Sequence, residues 1–263
     1  MTGLVYWMDM AGVIVFALSG VILACRSRMD PFGMLVLAAV TGIGGGTLRD
    51  LVLGVPVFWV ADPTYLWVIL ITVSISIVGF HYIHRLSRGI LPVADAFGLA
   101  LFAVIGAHKA LTLEASGVVA VLMGLLTGTG GGMVRDILAR RVPMVLREEI
   151  YATAAIAGGV VYVGLIALEV DAVIAVGLAF AVTLGTRLAA IYWHLALPVF
   201  AWVEIEPSDK AADKPLNETS SAMDATTKAQ KLRHQDGKKA LPKARVRMIS
   251  PSRERARRER DKE

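Results

Sequence analysis

The sequence predicts an all-α integral membrane protein of seven transmembrane helices, arranged as an inverted 3+3 repeat plus one, with glycine-kinked second and fifth helices. Three observations predict it. Several apolar runs of roughly 18 to 22 residues are almost free of charge, enough to cross about 30 Å of hydrocarbon at 1.5 Å per residue. A glycine-rich segment of the chain recurs at an offset of 86 residues. Lys and Arg collect in alternate connections between the apolar runs.

The charge is unevenly spread. The 263 residues carry 27 basic and 22 acidic groups, a net +5, but the stretch ending at Val203 holds 11 of each. The whole excess therefore sits in a C-terminal tail. Long apolar runs exclude a soluble globular domain and argue against nucleic acid as a partner despite the basic balance. Met1 to Asp9 has no Lys or Arg, and no small-residue cleavage site follows the first run, so that run reads as a retained helix rather than a signal peptide. The single Cys25 cannot form an internal disulfide.

Taken in order, the helices are expected at Leu4–Cys25, Pro31–Leu53, Thr64–Tyr82, Leu91–Leu111, Ala115–Ala139, Glu149–Leu168 and Ala172–Tyr192. They form a membrane domain over 1–203, with repeats at about 4–84 and 90–168 and a seventh helix at 172–192. A charged, disordered cytoplasmic tail covers 204–263. Alternate loops hold Arg26 and Arg28, then Arg85 and Arg88, then Arg140, Arg141 and Arg147, then the tail, whereas the opposite side has only Lys109. Basic residues are retained on the cytoplasmic side, so the N-terminus is expected outside the cell membrane and the C-terminus inside.

The repeat is dense in matches. Thr41-Gly42-Ile43-Gly44-Gly45-Gly46-Thr47-Leu48-Arg49-Asp50 returns as Thr127-Gly128-Thr129-Gly130-Gly131-Gly132-Met133-Val134-Arg135-Asp136, and the same offset pairs Asp9 with Asp95, Gly12 with Gly98, Phe16 with Phe102 and Gly20 with Gly106. Three helices per repeat is an odd number, so the second copy must enter from the opposite side. Inverted repeats with interrupted helices place a transport path between the repeats near the midplane.

Each glycine in a helix costs roughly 1 kcal/mol relative to Ala in water and leaves the backbone unshielded. The triplets Gly44, Gly45, Gly46 and Gly130, Gly131, Gly132 are therefore expected to kink or unwind their helices. Freed carbonyls would face protein or a water-filled cavity, where they act as weak cation ligands. Close helix packing through small residues is the alternative. Two symmetry-related triplets, each followed by Arg-Asp, favour the conduction path.

Arg49 and Arg135 each follow a triplet by three residues, where a charge within a span must be paired or wet. Inverted topology suggests the pairs Asp9–Arg49 and Asp95–Arg135, one at each mouth. Asp50 and Asp136 lie about 100° round the helix from the Arg before them and are expected to point elsewhere, capping backbone or attracting cations. Lys109, beside His108 and before Glu114, reads as a solvated loop or as a gating or lipid-contacting residue. His81 and His84 read as interfacial polarity, and no metal site is expected. Trp7, Trp59, Trp67 and Trp193 match aromatic belts. Ser19 has no His at a partner depth and reads as packing, so no catalytic residue and no enzyme activity are expected. The Lys238–Arg260 stretch either lies on anionic lipid or is solvated.

The doubled Gly-Gly-Gly-x-x-Arg-Asp, with Phe16-Ala17-Leu18-Ser19-Gly20 and Pro56-Val57-Phe58-Trp59, resembles the bacterial branch of the trimeric intracellular cation (TRIC) channel family over roughly residues 4–195. That resemblance implies a seven-helix protomer assembled as a homotrimer. Each protomer would carry its own hourglass pore for monovalent cations, chiefly potassium, lined by the kinked second and fifth helices. Gly44–Gly46 with Arg49, and Gly130–Gly132 with Arg135, would be its pore-forming positions. Animal members have a Lys-Glu-Val motif where this chain has Thr47-Leu48-Arg49-Asp50, so their lipid and calcium regulation is not implied here. The expected function is a passive potassium channel of the cytoplasmic membrane, with K+ or Na+ as permeant ion, membrane lipid as partner and no resident cofactor. A secondary transporter of a small solute such as an amino acid is the alternative.

Overall fold

The computed structural model describes residues 2–147, 149–193, 199–203 and 245–249. These fall into two units, Met1–Ala196 and Leu197–Glu263. The first is all helical.

Helix α1 (Thr2–Arg26) is followed by α2 (Pro31–Val52), which Asp30 caps by accepting a 2.7 Å hydrogen bond from the Gly33 amide, with Pro31 pre-set in the first turn. A one-turn helix, α3 (Phe58–Ala61), leads into α4 (Thr64–Val78), which stops at Gly79. Helix α5 (Phe80–Thr112) passes through Pro92, and α6 (Gly117–Leu138) is joined by a one-turn α7 (Met144–Arg147) to α8 (Glu149–Ala167). The last, α9 (Ala172–Tyr192), is capped by Asp171, whose carboxylate accepts from the amides of Val173 and Ile174.

Six of these are long and apolar enough to cross a membrane: α1, α2, the Leu91–Thr112 part of α5, α6, the Ile150–Ala167 part of α8, and α9. The expected third span falls short. Helix α4 has 15 residues, about 22 Å of rise. The chain turns at Gly79 and resumes helix at once, so Arg85 and Arg88, expected in a loop, lie on helical backbone. The side chains of His81 and His84 are outside the described residues.

The 86-residue repeat is carried by the backbone. Arg28 and Glu114, which end α1 and α5, have φ of 54° and 58°, and Gly54 and Arg140, which follow α2 and α6, have φ of 67° and 53°. Each of these left-handed residues closes its helix with the next residue's amide turned back to a carbonyl five positions earlier: Met29 to Ala24, Ala115 to Ala110, Val55 to Asp50 and Arg141 to Asp136.

Packing is reciprocal as well. The rings of Phe16 and Phe102 meet at 5.2 Å; Gly12 leaves room for Phe102, and Gly98 leaves room for Phe16. Contacts exchanged in this way are those of a two-fold relation between the repeats.

The second unit pairs β1 (Val199–Val203) antiparallel with β2 (Arg245–Ile249), Val199 opposite Ile249. The paired strand Arg245–Ile249 falls in the stretch expected as tail. The reason is local: Arg245-Val246-Arg247-Met248-Ile249 alternates basic and apolar side chains, the period of a strand with one wet face. The rest of the expected tail, including most of Lys238–Arg260, lies outside the described residues.

Candidate functional site

The predicted glycine triplets meet where α2 and α6 cross. Neither helix unwinds there: both remain α-helical from end to end. A Cβ on Gly45 would collide with the carbonyl oxygen of Thr127, and one on Gly131 would collide with that of Thr41. Gly44 faces the Cα of Gly131, and Gly130 that of Gly45. The carbonyls of Thr41 and Thr127, expected to be freed toward a cavity, are thus covered by the opposite helix. Close approach of this kind needs glycine on both sides and is supported by weak Cα–H···O contacts. Thr41 and Thr127 are fully buried, and each donates its hydroxyl to the carbonyl four residues earlier, Leu37 and Met123.

A cluster of buried charge sits beyond each triplet. In the first, Arg49 Nε donates to Asp50 Oδ1 at 2.8 Å, and Lys109 Nζ reaches the same oxygen at 2.7 Å. Asp50 Oδ2 accepts from the Phe58 amide at 3.0 Å, fixing the start of α3. In the second, Arg135 Nε donates to Asp136 Oδ1 at 2.9 Å, and Asp136 Oδ2 accepts from the Met144 amide at 3.0 Å, fixing the start of α7. Phe58 and Met144 are themselves 86 positions apart. The expectation that Asp50 and Asp136 point away from their Arg neighbours is therefore overturned. A helical wheel fixes only the Cβ direction, and the long guanidinium arm bends back to the carboxylate beside it. Their capping role is found in both copies.

One of the two expected ion pairs forms. Arg135 Nη1 lies 2.7 Å from Asp95 Oδ1, both residues fully buried. Asp9 does not pair with Arg49; its Oδ2 accepts a 2.6 Å hydrogen bond from the Tyr65 hydroxyl. Arg49 instead shares Asp50 with Lys109, and its Nη1 is buried without a hydrogen-bond partner among the described residues. Lys109 is neither in a loop nor turned to lipid. It stands in the last turn of α5, 29% exposed, and bonds Asp50 across 59 positions of sequence.

Further residues join these clusters. Ser19, expected only to pack, is fully buried and accepts from Arg135 Nη1 at 2.6 Å. Trp59, expected in an aromatic belt, donates its indole N–H to Thr47 Oγ1 at 2.9 Å. Tyr65 and Tyr151, which reasoning from charge passed over, hold equivalent places at the familiar offset of 86, and that offset was a usable signal. Asp95 Oδ2 is buried without a hydrogen-bond partner among the described residues, and Arg135 Nη2 lies 2.8 Å from Asp136 Oδ1 but outside hydrogen-bonding geometry. Buried ions survive in hydrocarbon only when paired like this or wet. Among the described residues, no group of three or more His, Cys, Asp and Glu is placed to hold a metal ion.

Comparison with known proteins places this architecture. The sequence model of a family described as "Glycine transporter" matches residues 6–81 and again 92–167, the two matches displaced by 86 residues. The inner membrane protein YadS of Escherichia coli K12 is 54% identical over 200 residues, covering 75% of this chain and 97% of YadS. A membrane protein of Vibrio cholerae is 52% identical over 201 residues, covering 76% of this chain and 84% of its own. Among solved structures, the TRIC trimeric intracellular cation channel orthologue from Rhodobacter sphaeroides matches at a TM-score of 0.69 and 41% identity, covering 73% of this chain and 99% of that one. A prokaryotic TRIC channel crystallised in 0.5 M KCl matches at 0.70 and 28% identity, covering 75% and 100%.

Proposed function

The chain belongs to the trimeric intracellular cation (TRIC) channel family, and from that premise we propose that it is a passive channel for monovalent cations, chiefly potassium. The observation that carries this reading is the meeting of two glycine triplets between two buried Arg–Asp clusters, on helices related by a two-fold exchange of contacts. Gly44–Gly46 and Gly130–Gly132 form the narrowest part of the path, which opens when α2 and α6 bend or part there. Arg49 with Asp50 and Arg135 with Asp136 flank it, with Asp95 neutralising Arg135. In each cluster a carboxylate faces the arginine directly, which reconciles buried arginines with cation passage.

The protein sits in the cytoplasmic membrane with its N-terminus outside and its C-terminus inside. In that arrangement α4 makes the third pass with the turn after it, the repeats are inverted, and the Lys109 cluster faces outward. Lys109 is placed to gate this mouth because it can leave Asp50 for solvent. Three copies assemble, each with its own pore, and K+ or Na+ and membrane lipid are its ligands. Family members solved at 28% and 41% identity are described as channels, which favours this over a secondary transporter.

Purified protein in planar lipid bilayers tests the reading. Unitary potassium currents are expected. Saturable glycine uptake into proteoliposomes, without such currents, would establish the transporter instead.

A further inference from the structure

We infer that Arg187, on the helix outside the repeat, is a positioning residue for the second charge cluster, acting on the Asp95–Arg135 pair through the ring of Tyr151. The inference rests on the channel reading above and adds a residue to it.

Arg187 is 1% exposed, five positions before the end of the apolar helix α9, where a buried cation survives only with a defined purpose or partner. Its guanidinium carbon stands 4.8 Å over the centroid of the Tyr151 ring, in cation–π range. Tyr151 is equally buried, and its hydroxyl converges with Asp95 Oδ1 and Arg135 Nη2 around Gly132, at 3.4, 3.6 and 3.7 Å from where a Cβ on that glycine would lie. Tyr151 thus meets Arg187 at the face of its ring and the ion pair at its hydroxyl end.

Comparison with the other copy shows what is special. Tyr65, the equivalent of Tyr151, is backed by neutral rings, Phe58 edge-on at 4.6 Å and Tyr6 at 6.2 Å, and its hydroxyl bonds Asp9 directly. The first cluster takes its second cation from Lys109, which is 29% exposed and belongs to α5; the second takes its own from α9, which belongs to neither repeat. The first cluster sets Arg49 and Lys109 on Asp50, and the second sets Arg135 on Asp95 and Asp136 with Arg187 over the ring of Tyr151. Seen this way, α9 does more than fill lipid-facing surface. It supplies a cation that the repeat lacks at one mouth, and it does so from a fully buried position, whereas Lys109 is partly exposed.

The test is single-channel recording of full-length protein in planar bilayers with a potassium chloride gradient, comparing wild type with Arg187→Gln, Arg187→Lys and Tyr151→Phe. Arg187→Gln should change open probability about fivefold, the equivalent of about 1 kcal/mol in the open–closed balance, with a shifted voltage dependence. Arg187→Lys, which keeps a cation over the ring, should recover part of it, and Tyr151→Phe, which removes the hydroxyl that meets the ion pair, should shift gating in the same direction as Arg187→Gln. A conducting wild type with Arg187→Gln unchanged in open probability and voltage dependence overturns this inference alone. If Arg187→Gln fails to assemble, the inference stands on Arg187→Lys, expected to gate measurably differently from wild type, and falls if the two are identical. A wild type without unitary currents overturns the channel reading and this inference with it.

Discussion

Gly45 lies against the backbone carbonyl of Thr127 so closely that no side chain fits between them, and Gly131 repeats the contact with Thr41. The α2–α6 crossing is therefore a backbone-to-backbone contact made twice. Any side chain there must push the two helices apart.

Gly45→Ala and Gly131→Ala should each lower stability by about 1–3 kcal/mol, the usual cost of overpacking a tight contact. Gly44→Ala should be milder, since its Cβ would meet the Gly131 Cα at an ordinary 3.6 Å. Thermal unfolding of the detergent-solubilised protein checks the order; equal effects at Gly44 and Gly45 would contradict the geometry.

Asp95→Asn removes one of the two carboxylates on a fully buried guanidinium and should cost about 3–5 kcal/mol, because it breaks a buried ion pair and leaves Arg135 with Asp136 alone. Asp9→Asn should cost about 1–3 kcal/mol, as only the Tyr65 hydroxyl bond is weakened. Unfolding midpoints of the two variants, measured side by side, decide it.

Lys109→Met should leave the fold nearly intact, within about 1 kcal/mol, since Asp50 keeps Arg49 and the Phe58 amide and the lost pair is partly exposed. Gating should nonetheless respond. Raising the salt from about 0.1 M to 1 M on the side facing Lys109 shortens the screening length from about 10 Å to 3 Å, and should shift wild-type open probability toward that of Lys109→Met. An equal salt response in both proteins would contradict a role for this pair.

The repeat was legible in the sequence because identical residues at one offset need no structure to be seen, and it carried further than the matched motif. The helix-ending residues Arg28 and Glu114 share φ without sharing chemistry, which only coordinates reveal. The Asp95–Arg135 pair was legible from topology, whereas its counterpart Asp9–Arg49 was not formed, because Asp50 holds Arg49 and the Tyr65 hydroxyl holds Asp9, each at hydrogen-bond distance. Ser19 and Arg187 were hidden for a different reason. Each reaches its cluster from a helix that the repeat does not pair with it, so neither spacing nor symmetry points there.

The direct measurement of the central claim is modification of a single cysteine at the crossing. In a Cys25→Ala background, Gly44→Cys places a thiol where the two triplets meet without the clash expected at Gly45. A positively charged, water-soluble thiol reagent added to a conducting bilayer should cut the unitary potassium current severalfold, and a reducing agent should restore it. Complete modification with the current unchanged would contradict a path past the glycines.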